Sequence, residues 1–388
     1  MTMSDPKILR AHKRDEPPEV TTPELFFDLV YVFAVTQISH TLHEHLSGRG
    51  ALQALVLFMA VWWAWNYTAW ATNWIDPNHV AVRVLMLALM LISLVMSSAL
   101  PDAFGGRGAA FAAAYVGLQV LRSGFMVVVF RGQRMARNYL QLLTWTCIAG
   151  VVWLVGAFLH GDARLFVWIA AVAVDYGAPL HGFALPLLGR TPMRAWPIAG
   201  GHLAERNQLV LLIALGESIL AVGATFTGIH WTAGAATAFA VGFVATASLW
   251  WIYFGHVEEA ARAIEQAADP AHLARAGFAY AHGIMVAGVI VVAVAVDLTI
   301  TEPSADSAWR AVATILGGPA IYLVGNALYK RAVAGRIPVS RLLAFGALGC
   351  LVAVAPTVDR LVLSVLAMLV LLALSAWTTR SRRHSAVA

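Results

Sequence analysis

The stretch HLAERNQLVLLIALGESILAVG, from His202 to Gly223, decides the fold class of this chain. It begins with charged residues, continues as an apolar helix and then places Glu217 inside that helix. Glu217 follows Arg206 by eleven residues, which is roughly 16 Å along a helix. Glu217 is therefore expected near the middle of a hydrocarbon layer about 30 Å thick. Acids at that depth face a partner or a water-filled path, so the stretch predicts a membrane protein with a buried acid.

The composition of the whole chain agrees with this prediction. Of the 388 residues, 60% are hydrophobic and 12% are charged, whereas soluble domains carry about 25% charged residues. Residues 1–22 are polar and hold charges of both signs, which predicts a disordered cytoplasmic tail and no secretory signal. Cys147 and Cys350 lie in apolar runs and predict buried free thiols. The net charge of +5 is spread over short loops, so it indicates topology and not a nucleic-acid partner.

Apolar runs of about twenty residues predict an all-α polytopic membrane protein with twelve spans. The runs lie at residues 24–45, 50–73, 80–100, 108–130, 138–159, 164–187, 205–227, 231–256, 272–297, 309–330, 341–357 and 360–379. Basic residues concentrate in alternate loops, for example Arg131, Arg134 and Arg137 after the fourth run. By the positive-inside rule both termini are cytoplasmic, which an even number of spans permits. The expected location is the cytoplasmic membrane, with the lipid bilayer as partner and homo-oligomerisation left open.

Two halves of the chain resemble each other. DLVYVFAVTQIS from Asp28 aligns without a gap with QLVLLIALGESI from Gln208. Asp76-Pro77 and Asp269-Pro270 each precede a later span, and Asp before Pro predicts an N-cap followed by the first helical residue. The alignment predicts two parallel six-helix repeats over 23–200 and 201–380, followed by a basic cytoplasmic tail over 381–388.

The first span holds two acids on one face. Glu24 and Asp28 are four residues apart at its cytoplasmic start. Glu24 is explained by first-turn complementation of the helix dipole. Asp28 lies deeper and needs a partner, and Arg122 in the fourth span is expected at a similar depth. Such a pair is compatible with a structural role or with a gate, because removing one partner of a buried pair costs ~3–5 kcal/mol.

Gln37 and Glu217 occupy matching mid-membrane positions of the two halves in the same alignment. An amide opposite a carboxyl across a pseudo-twofold axis predicts a central site, in which Glu217 carries a proton or coordinates an ion. Glu217 is too far along its helix from Arg206 for a direct contact.

The sixth span combines Asp175 with helix-breaking residues. Gly177, Pro179, Gly182 and Pro186 follow the acid, and His181 lies six residues beyond it. Broken spans of transporters bind ions and substrates near the midplane, so Asp175 and His181 are predicted as a second polar site. The alternative is a proline kink beside a hydrogen-bonded aspartate. The sequence holds no recognisable catalytic, cofactor-binding or metal-binding motif, so no catalytic residues, cofactor or metal ion are expected.

Two motifs carry a resemblance to a known family. Glu24 to Gln37, ELFFDLVYVFAVTQ, together with His202-x-x-Glu205-Arg206 and Leu215-Gly216-Glu217, strongly resembles the bacterial low temperature requirement A family. Asn207-Gln208 departs from the Phe-Gly expected after Glu-Arg. The resemblance implies a membrane-embedded helical fold and supports Asp28, Glu205, Arg206 and Glu217 as site residues. Glu24, His202, Glu205 and Arg206 are predicted to form a helix-start motif. The resemblance implies no particular activity.

Three classes of function are compatible with these features. The first is a secondary transporter or ion-conducting protein for a small ion or small molecule, with Glu217 as the titrating acid. The second is an intramembrane lipid-modifying enzyme that uses the same acids with a histidine such as His181 or His282. The third is a non-catalytic membrane factor or sensor linked to low-temperature growth. The sequence favours the first class, because it holds no recognisable set of catalytic partners at one depth.

Overall fold

The computed structural model of this chain describes residues 8–10, 19–192, 195–255 and 269–387, with side chains up to residue 381. Within these residues the regular structure is helical, apart from isolated bridges between single residues. Twelve long helices correspond to the twelve predicted spans of this described part. They are α1 (Thr22–Glu44), α2 (Gly48–Thr72), α3 (Val80–Ala99), α4 (Gly108–Val129), α5 (Arg134–Ala157), α6 (Gly161–Leu180), α7 (Gly200–Thr227), α8 (Ala233–Phe254), α9 (Pro270–Thr301), α10 (Trp309–Ala334), α11 (Val339–Val354) and α12 (Arg360–Val387).

Eleven of the described helices are long and apolar enough to cross a membrane, and α2 is the exception. Four tryptophans, Asn66 and Tyr67 lie on α2, and most of its residues are buried within the protein. A helix covered by its neighbours needs less hydrophobicity than one that faces lipid. The prediction of an all-helical fold with membrane-length spans is confirmed, and the sidedness of the termini remains a prediction.

The described chain divides into two compact units. Unit 1 is drawn from Met1–Thr41, Gly48–Arg206 and Ala267–Ala274, and unit 2 from Leu42–Ser47, Asn207–Gln266 and Arg275–Ala388. Aromatic side chains such as Trp153 and Trp168 fill the interior of unit 1. Unit 2 buries valine-rich segments of α9 against α10. The internal repeat of the two halves remains a prediction.

Part of the predicted N-terminal tail is ordered. Leu9 forms a bridge with Ile75, and the amide of Arg10 donates to the carbonyl oxygen of Trp74 at 2.9 Å. The side chain of Ile8 is buried. Residues 1–7 and 11–18 of this tail lie outside the described residues. At the other end, α12 continues through the predicted basic tail to Val387.

The two Asp-Pro motifs differ locally. Asp269 accepts a hydrogen bond from the amide of His272 at 3.0 Å, and α9 begins at the next residue, Pro270, as predicted. Asp76 instead accepts from the amide of Asn78 at 2.9 Å. The N-cap of α3 is His79, whose ring accepts from an amide two residues later. The prediction that Asp76 caps α3 was therefore wrong, because the cap lies three residues later, at His79. Asp76 instead forms a local Asx turn.

Helix α6 ends earlier than predicted. The span expected over residues 164–187 stops at Leu180, one residue after Pro179. Gly182 then adopts a φ of +61°, and a Cβ at this position would lie 2.7 Å from the carbonyl oxygen of Thr191. Only glycine fits this turn, because a side chain would be strained and would clash. The sequence predicted a break inside a span that continues to residue 187, and the structure instead ends α6 at Leu180.

Both cysteines are free, and both are exposed on helices. The prediction that the thiols are buried was wrong. An apolar run predicts burial from water, and on a membrane-length helix lipid provides this without burial inside the protein.

Glycines bring α9 and α10 of unit 2 into close contact. A Cβ on Gly325 would lie 2.7 Å from both the backbone nitrogen and the Cγ of Met285, and a Cβ on Gly288 would lie 2.5 Å from the backbone nitrogen of Tyr322. Membrane helices approach this closely only where small residues let their backbones meet.

Replacing Gly325 by alanine is expected to destabilise the protein, because the new methyl group would collide with backbone of α9. Overpacking of this kind costs about 1–3 kcal/mol. The measurement is the thermal unfolding midpoint of the purified chain in a nonionic detergent. Gly349→Ala, at a site with nothing within 4 Å of the new Cβ, is the matched control. Equal midpoints for the two variants would contradict the close contact.

Candidate functional site

Four charged or polar side chains from the starts of α1 and α7 meet in the interior of unit 1. Glu24 and Asp28 are one turn apart on α1, and His202 and Arg206 are one turn apart on α7. Residues four apart share a helix face, so each helix presents two groups to the other. All four side chains are fully buried. We call these four residues the charge cluster.

Arg206 joins the two acids of the charge cluster. Its Nη2 donates to Asp28 Oδ1 at 2.6 Å, and its Nη1 donates to Glu24 Oε1 at 3.1 Å. Nη1 also donates to the hydroxyl of Thr72 at 3.3 Å. The guanidinium carbon lies 5.8 Å from the ring centre of Trp65, whose indole Nε1 donates to Asp28 Oδ1 at 2.7 Å. Trp65 thus orients the carboxylate of Asp28 and packs over the guanidinium of Arg206.

Glu24 has a second function at the start of α1. Its Oε2 accepts from the backbone amide of Thr21 at 2.9 Å and from the Thr21 hydroxyl at 2.8 Å. This is the acid half of a capping box, in which the residue at N3 binds the N-cap amide. The same oxygen accepts from Arg10 Nη2 at 2.9 Å. The prediction that Glu24 serves the helix start is therefore supplemented by two ionic contacts, to Arg10 and Arg206.

The hydrogen bonds of His202 define its tautomer. Asn73 accepts from the amide of Ala199 through Oδ1 at 2.9 Å and donates to the carbonyl of Ala199 through Nδ2 at 3.0 Å, which fixes the orientation of its amide. The Nδ2 also lies 3.1 Å from His202 Nδ1, so Nδ1 is the acceptor. His202 Nε2 therefore carries the hydrogen and donates to Glu24 Oε1 at 2.8 Å. In this arrangement the imidazole is neutral.

The charges at this site balance. Glu24 and Asp28 contribute two negative charges, Arg206 and Arg10 contribute two positive charges, and His202 contributes none. Two polar atoms of the charge cluster, Asp28 Oδ2 and Arg206 Nε, have no hydrogen-bond partner among the described residues. A neutral set of paired charges can be buried in a low-dielectric surrounding. Removing one partner would leave an uncompensated buried charge and would destabilise the protein.

The sequence paired Asp28 with the wrong arginine. Arg206 of α7 contacts the acid, through Nη2 to Asp28 Oδ1 at 2.6 Å. Arg122 of α4 instead donates through Nη1 to the carbonyl of Ala64 at 3.3 Å and to the hydroxyl of Thr68 at 3.4 Å. The expected gate between Asp28 and Arg122 is thereby corrected, since no ion pair joins these two residues.

Glu205 directly precedes Arg206 on α7 and contacts the segment before α1. It is half-buried and accepts from the amide of Val20 at 3.2 Å through Oε2. Glu205 therefore holds the segment that precedes α1, while Arg206 holds the first turns of α1. The predicted helix-start motif is one connected structure within unit 1.

Comparison with known proteins agrees with the motifs. Residues 19–376 match the family described as "Bacterial low temperature requirement A protein (LtrA)". The chain belongs to the LtrA family. It is also 34% identical over 380 residues to a protein of Rhizobium meliloti (strain 1021) that is described as uncharacterized, with 97% of this chain and 92% of that protein covered. No solved structure matches the chain.

Asp175 of this LtrA-family chain is buried in unit 1 with neutral donors. Tyr115 donates its hydroxyl to Asp175 Oδ2 at 2.8 Å, and Trp153 donates its indole hydrogen to the same oxygen at 2.9 Å. Gln119 donates to the Tyr115 hydroxyl at 3.1 Å. The predicted partner His181 is exposed at the C-terminus of α6, so the structure does not bring it to the acid.

The proposed central pair of the LtrA-family chain falls on different units. Gln37 is half-buried in the part of α1 that belongs to unit 1. Glu217 is half-buried in the part of α7 that belongs to unit 2. A site shared by these two residues therefore remains a prediction.

His282, weighed above as an enzyme histidine, is fully buried in unit 2. Its Nε2 lies 2.7 Å from the hydroxyl of Tyr253, and its Nδ1 lies 2.8 Å from the carbonyl oxygen of Gly277, which is in a π-helical segment of α9. Both ring nitrogens are occupied, so His282 holds helices together. Among the described residues, no group of three or more His, Cys, Asp or Glu side chains is arranged to hold a metal ion.

Sequence reasoning missed several residues that hold the LtrA-family site. Trp65 and Trp153 each hydrogen-bond a buried acid, and Asn73 sets the tautomer of His202. The signal for Trp65 was its position beside Asn66 and Tyr67 in WWAWNY, although packing is the default explanation for such rings. Trp153 lies among apolar residues in GVVWLVGA and carried no such signal. Asn73, at the end of α2, carried no signal of its own.

Proposed function

We propose that this chain is a secondary transporter or ion-conducting protein, in which intramembrane carboxyl groups carry the coupled proton or cation. Asp175 and Glu217 are the two carboxyl groups assigned to this role. Ionisable residues within membrane-length helices are costly to bury and commonly mark ion and proton pathways.

The observation that carries the proposal is the surrounding of Asp175. The acid is buried in α6, and its hydrogen bonds come from Tyr115 and Trp153, which are both neutral. Taking up a proton there breaks no ion pair, in contrast to Asp28, which is bound to Arg206 at 2.6 Å. Gln119 extends the chain of polar groups from Tyr115 along α4. A carboxyl that gains and loses charge without disturbing a salt bridge suits cyclic coupling.

The charge cluster has a different role in this proposal. Its acids are permanently paired with Arg206 and Arg10, so they fix the starts of α1 and α7 and do not cycle. Gln37 and His181 are assigned supporting polar positions along the path, and the substrate is a small ion or a small molecule.

The test is ion flux into liposomes that hold the purified full chain. Internal pH-sensitive, potassium-sensitive and sodium-sensitive dyes report flux under imposed gradients. We expect wild-type flux, and flux at the level of protein-free liposomes for Asp175→Asn and for Glu217→Gln. Asparagine keeps an oxygen that accepts from Tyr115 and Trp153, so the fold is retained while the titrating group is lost.

The matched control is Asp162→Asn, which removes an exposed acid from the first turn of the same helix. It should keep wild-type flux. Absence of wild-type flux under every gradient, or wild-type flux in both Asp175→Asn and Glu217→Gln, would overturn the proposal. The lipid-modifying and non-catalytic classes would then be tested by lipid analysis and by pull-down from membranes.

A further inference from the structure

Among the described residues, unit 1 buries three arginines, and the protein compensates the positive charge of two of them. Arg206 binds the carboxylates of Glu24 and Asp28. Arg164 donates to four backbone carbonyl oxygens, those of Ala103, Gly105, Ala157 and Leu159, at 2.7–3.0 Å. In unit 1, carboxylates therefore compensate one of these buried guanidinium groups, and four backbone carbonyl oxygens surround the other.

Arg122, the third, has neither arrangement. It is 1% exposed, and no acidic side chain lies within 4.0 Å of it among the described residues. Its two hydrogen bonds, to Ala64 and Thr68, are long, at 3.3 and 3.4 Å, and its Nη2 contacts no acceptor of the protein. The ring of Tyr67 lies 5.1 Å from the guanidinium carbon. A guanidinium stays charged in proteins, so a full positive charge is buried here without a counter-charge.

The neighbouring side chains on α4 are also incompletely bonded. Gln119 shares a helix face with Arg122 at a spacing of three residues and with Ser123 at a spacing of four, and Ser123 directly follows Arg122. Gln119 and Ser123 are both buried, and Ser123 Oγ and Gln119 Oε1 have no hydrogen-bond partner. The Gln119 amide cannot be reversed, because Tyr115 already donates to Asp175 and so must accept from Gln119 Nε2. Arg122 Nη2 and the Ser123 hydroxyl therefore remain available as donors to a bound species, whereas Gln119 Oε1 can only accept a hydrogen bond.

The acids of unit 1 do not supply the missing charge. Asp28 is bound to Arg206 and Trp65, and Glu24 to Arg206, His202 and Arg10. Asp175 interacts with Arg122 electrostatically but forms no ion pair with it, and its hydrogen bonds come from Tyr115 and Trp153. A water molecule would satisfy a hydrogen bond of Nη2 but would leave the charge, and an uncompensated buried charge is far more costly than an unmet hydrogen bond.

We infer that Arg122 binds a small monovalent anion in the interior of unit 1, held by the guanidinium with help from the Ser123 hydroxyl. A single positive charge among neutral hydroxyl, amide and aromatic groups matches one negative charge. The ligand class is a small monoanion, either a halide-like inorganic ion or a short carboxylate. This site is independent of the transport proposal, since binding requires no gradient and no flux.

The test is the thermal unfolding midpoint of the full chain in a nonionic detergent, at constant ionic strength made up with a large organic anion. Chloride, nitrate and acetate are titrated separately, which distinguishes inorganic from carboxylate ligands. We expect at least one of them to raise the wild-type midpoint saturably, by about 5 °C at roughly 100 times its Kd. Equilibrium dialysis of the labelled anion against wild type should give one saturable site.

Arg122→Gln should lose both the anion-dependent shift and the saturable binding. Arg131→Gln removes an exposed arginine just after the same helix and should keep both. If Arg122→Gln does not fold, the dialysis measurement on wild type and on Ser123→Ala, which should bind more weakly, decides instead. No saturable binding of any of the three anions to wild type, or binding that Arg122→Gln retains, would overturn the inference.

Discussion

Replacing Arg206 by glutamine is expected to be among the most damaging substitutions in this chain, lowering the free energy of unfolding by about 3–5 kcal/mol. The change leaves the carboxylates of Asp28 and Glu24 in the interior of unit 1 without their shared cation. Glu24 keeps Arg10 and His202, whereas Asp28 keeps only the indole of Trp65. A buried carboxylate with one neutral donor is poorly compensated.

The measurement is the thermal midpoint of the purified chain, followed by tryptophan fluorescence in detergent. The control is Arg49→Gln, which breaks an ion pair of 2.8 Å between Arg49 and Asp162 whose side chains are 55% and 68% exposed. Exposed pairs are worth about 0–1 kcal/mol, so this control should unfold near the wild-type temperature. Similar losses in Arg49→Gln and Arg206→Gln would contradict the buried cluster.

A double variant separates lost pairing from lost packing. Asp28→Asn removes the charge that Arg206 neutralises, so Arg206→Gln should cost less in that background than in wild type. The two sites contact each other, and such pairs show coupling energies of about 0.5–3 kcal/mol. Additive losses would mean that the Arg206–Asp28 ion pair contributes nothing beyond the volume of its side chains.

The helices of this protein were predictable because hydropathy along the sequence is enough to locate them. A run of apolar residues long enough to span lipid has few alternatives, and the twelve predicted runs match α1 to α12 within a few residues at most ends. The exception at α6 is local: Gly182 needs a positive φ, and the chain turns there to meet Thr191. Such a turn depends on what the loop packs against, which hydropathy does not report.

The charge cluster was predictable in its members and not in its pairing. Depth along a helix follows from residue counting, and this measure led to Arg122 as the predicted partner of Asp28. Which arginine meets the acid also depends on the rotation of each helix about its axis, and tertiary packing sets that rotation. One sequence signal was available: Glu24 with Asp28 and His202 with Arg206 have the same spacing of four at two helix starts. Matching spacings of four on two helices indicate that two side chains of one helix face two side chains of the other.

Asn73 shows why the remaining site residues were not predictable. It lies just beyond α2, and its role comes from the backbone of Ala199 and the ring of His202, more than 120 residues later in the sequence. A polar residue at a helix end is ordinary by every local criterion. Only the fold brings its amide between two acceptors, so the position gains its importance from long-range contacts.

Replacing Asn73 by aspartate is therefore expected to have an effect second only to that of Arg206→Gln, although the two side chains have nearly the same shape. The new carboxylate still accepts from the amide of Ala199. Its other oxygen replaces an NH2 group that donates to the carbonyl of Ala199 and to His202 Nδ1, and so faces two acceptors. Each buried group left unsatisfied costs about 1–3 kcal/mol, and the added charge increases this cost.

The same thermal measurement distinguishes this loss from a general effect of added charge. Asn78→Asp makes the identical chemical change five residues away at an exposed position and should leave the midpoint nearly unchanged. If Asn73→Asp matched Asn78→Asp, the Asn73 amide would not be the donor to His202, and the Nε2 hydrogen assigned above would be wrong. A large drop in the midpoint for Asn73→Asp alone would instead show that the Asn73 amide keeps the His202 imidazole neutral. The charge balance around Glu24 would then depend on this one amide.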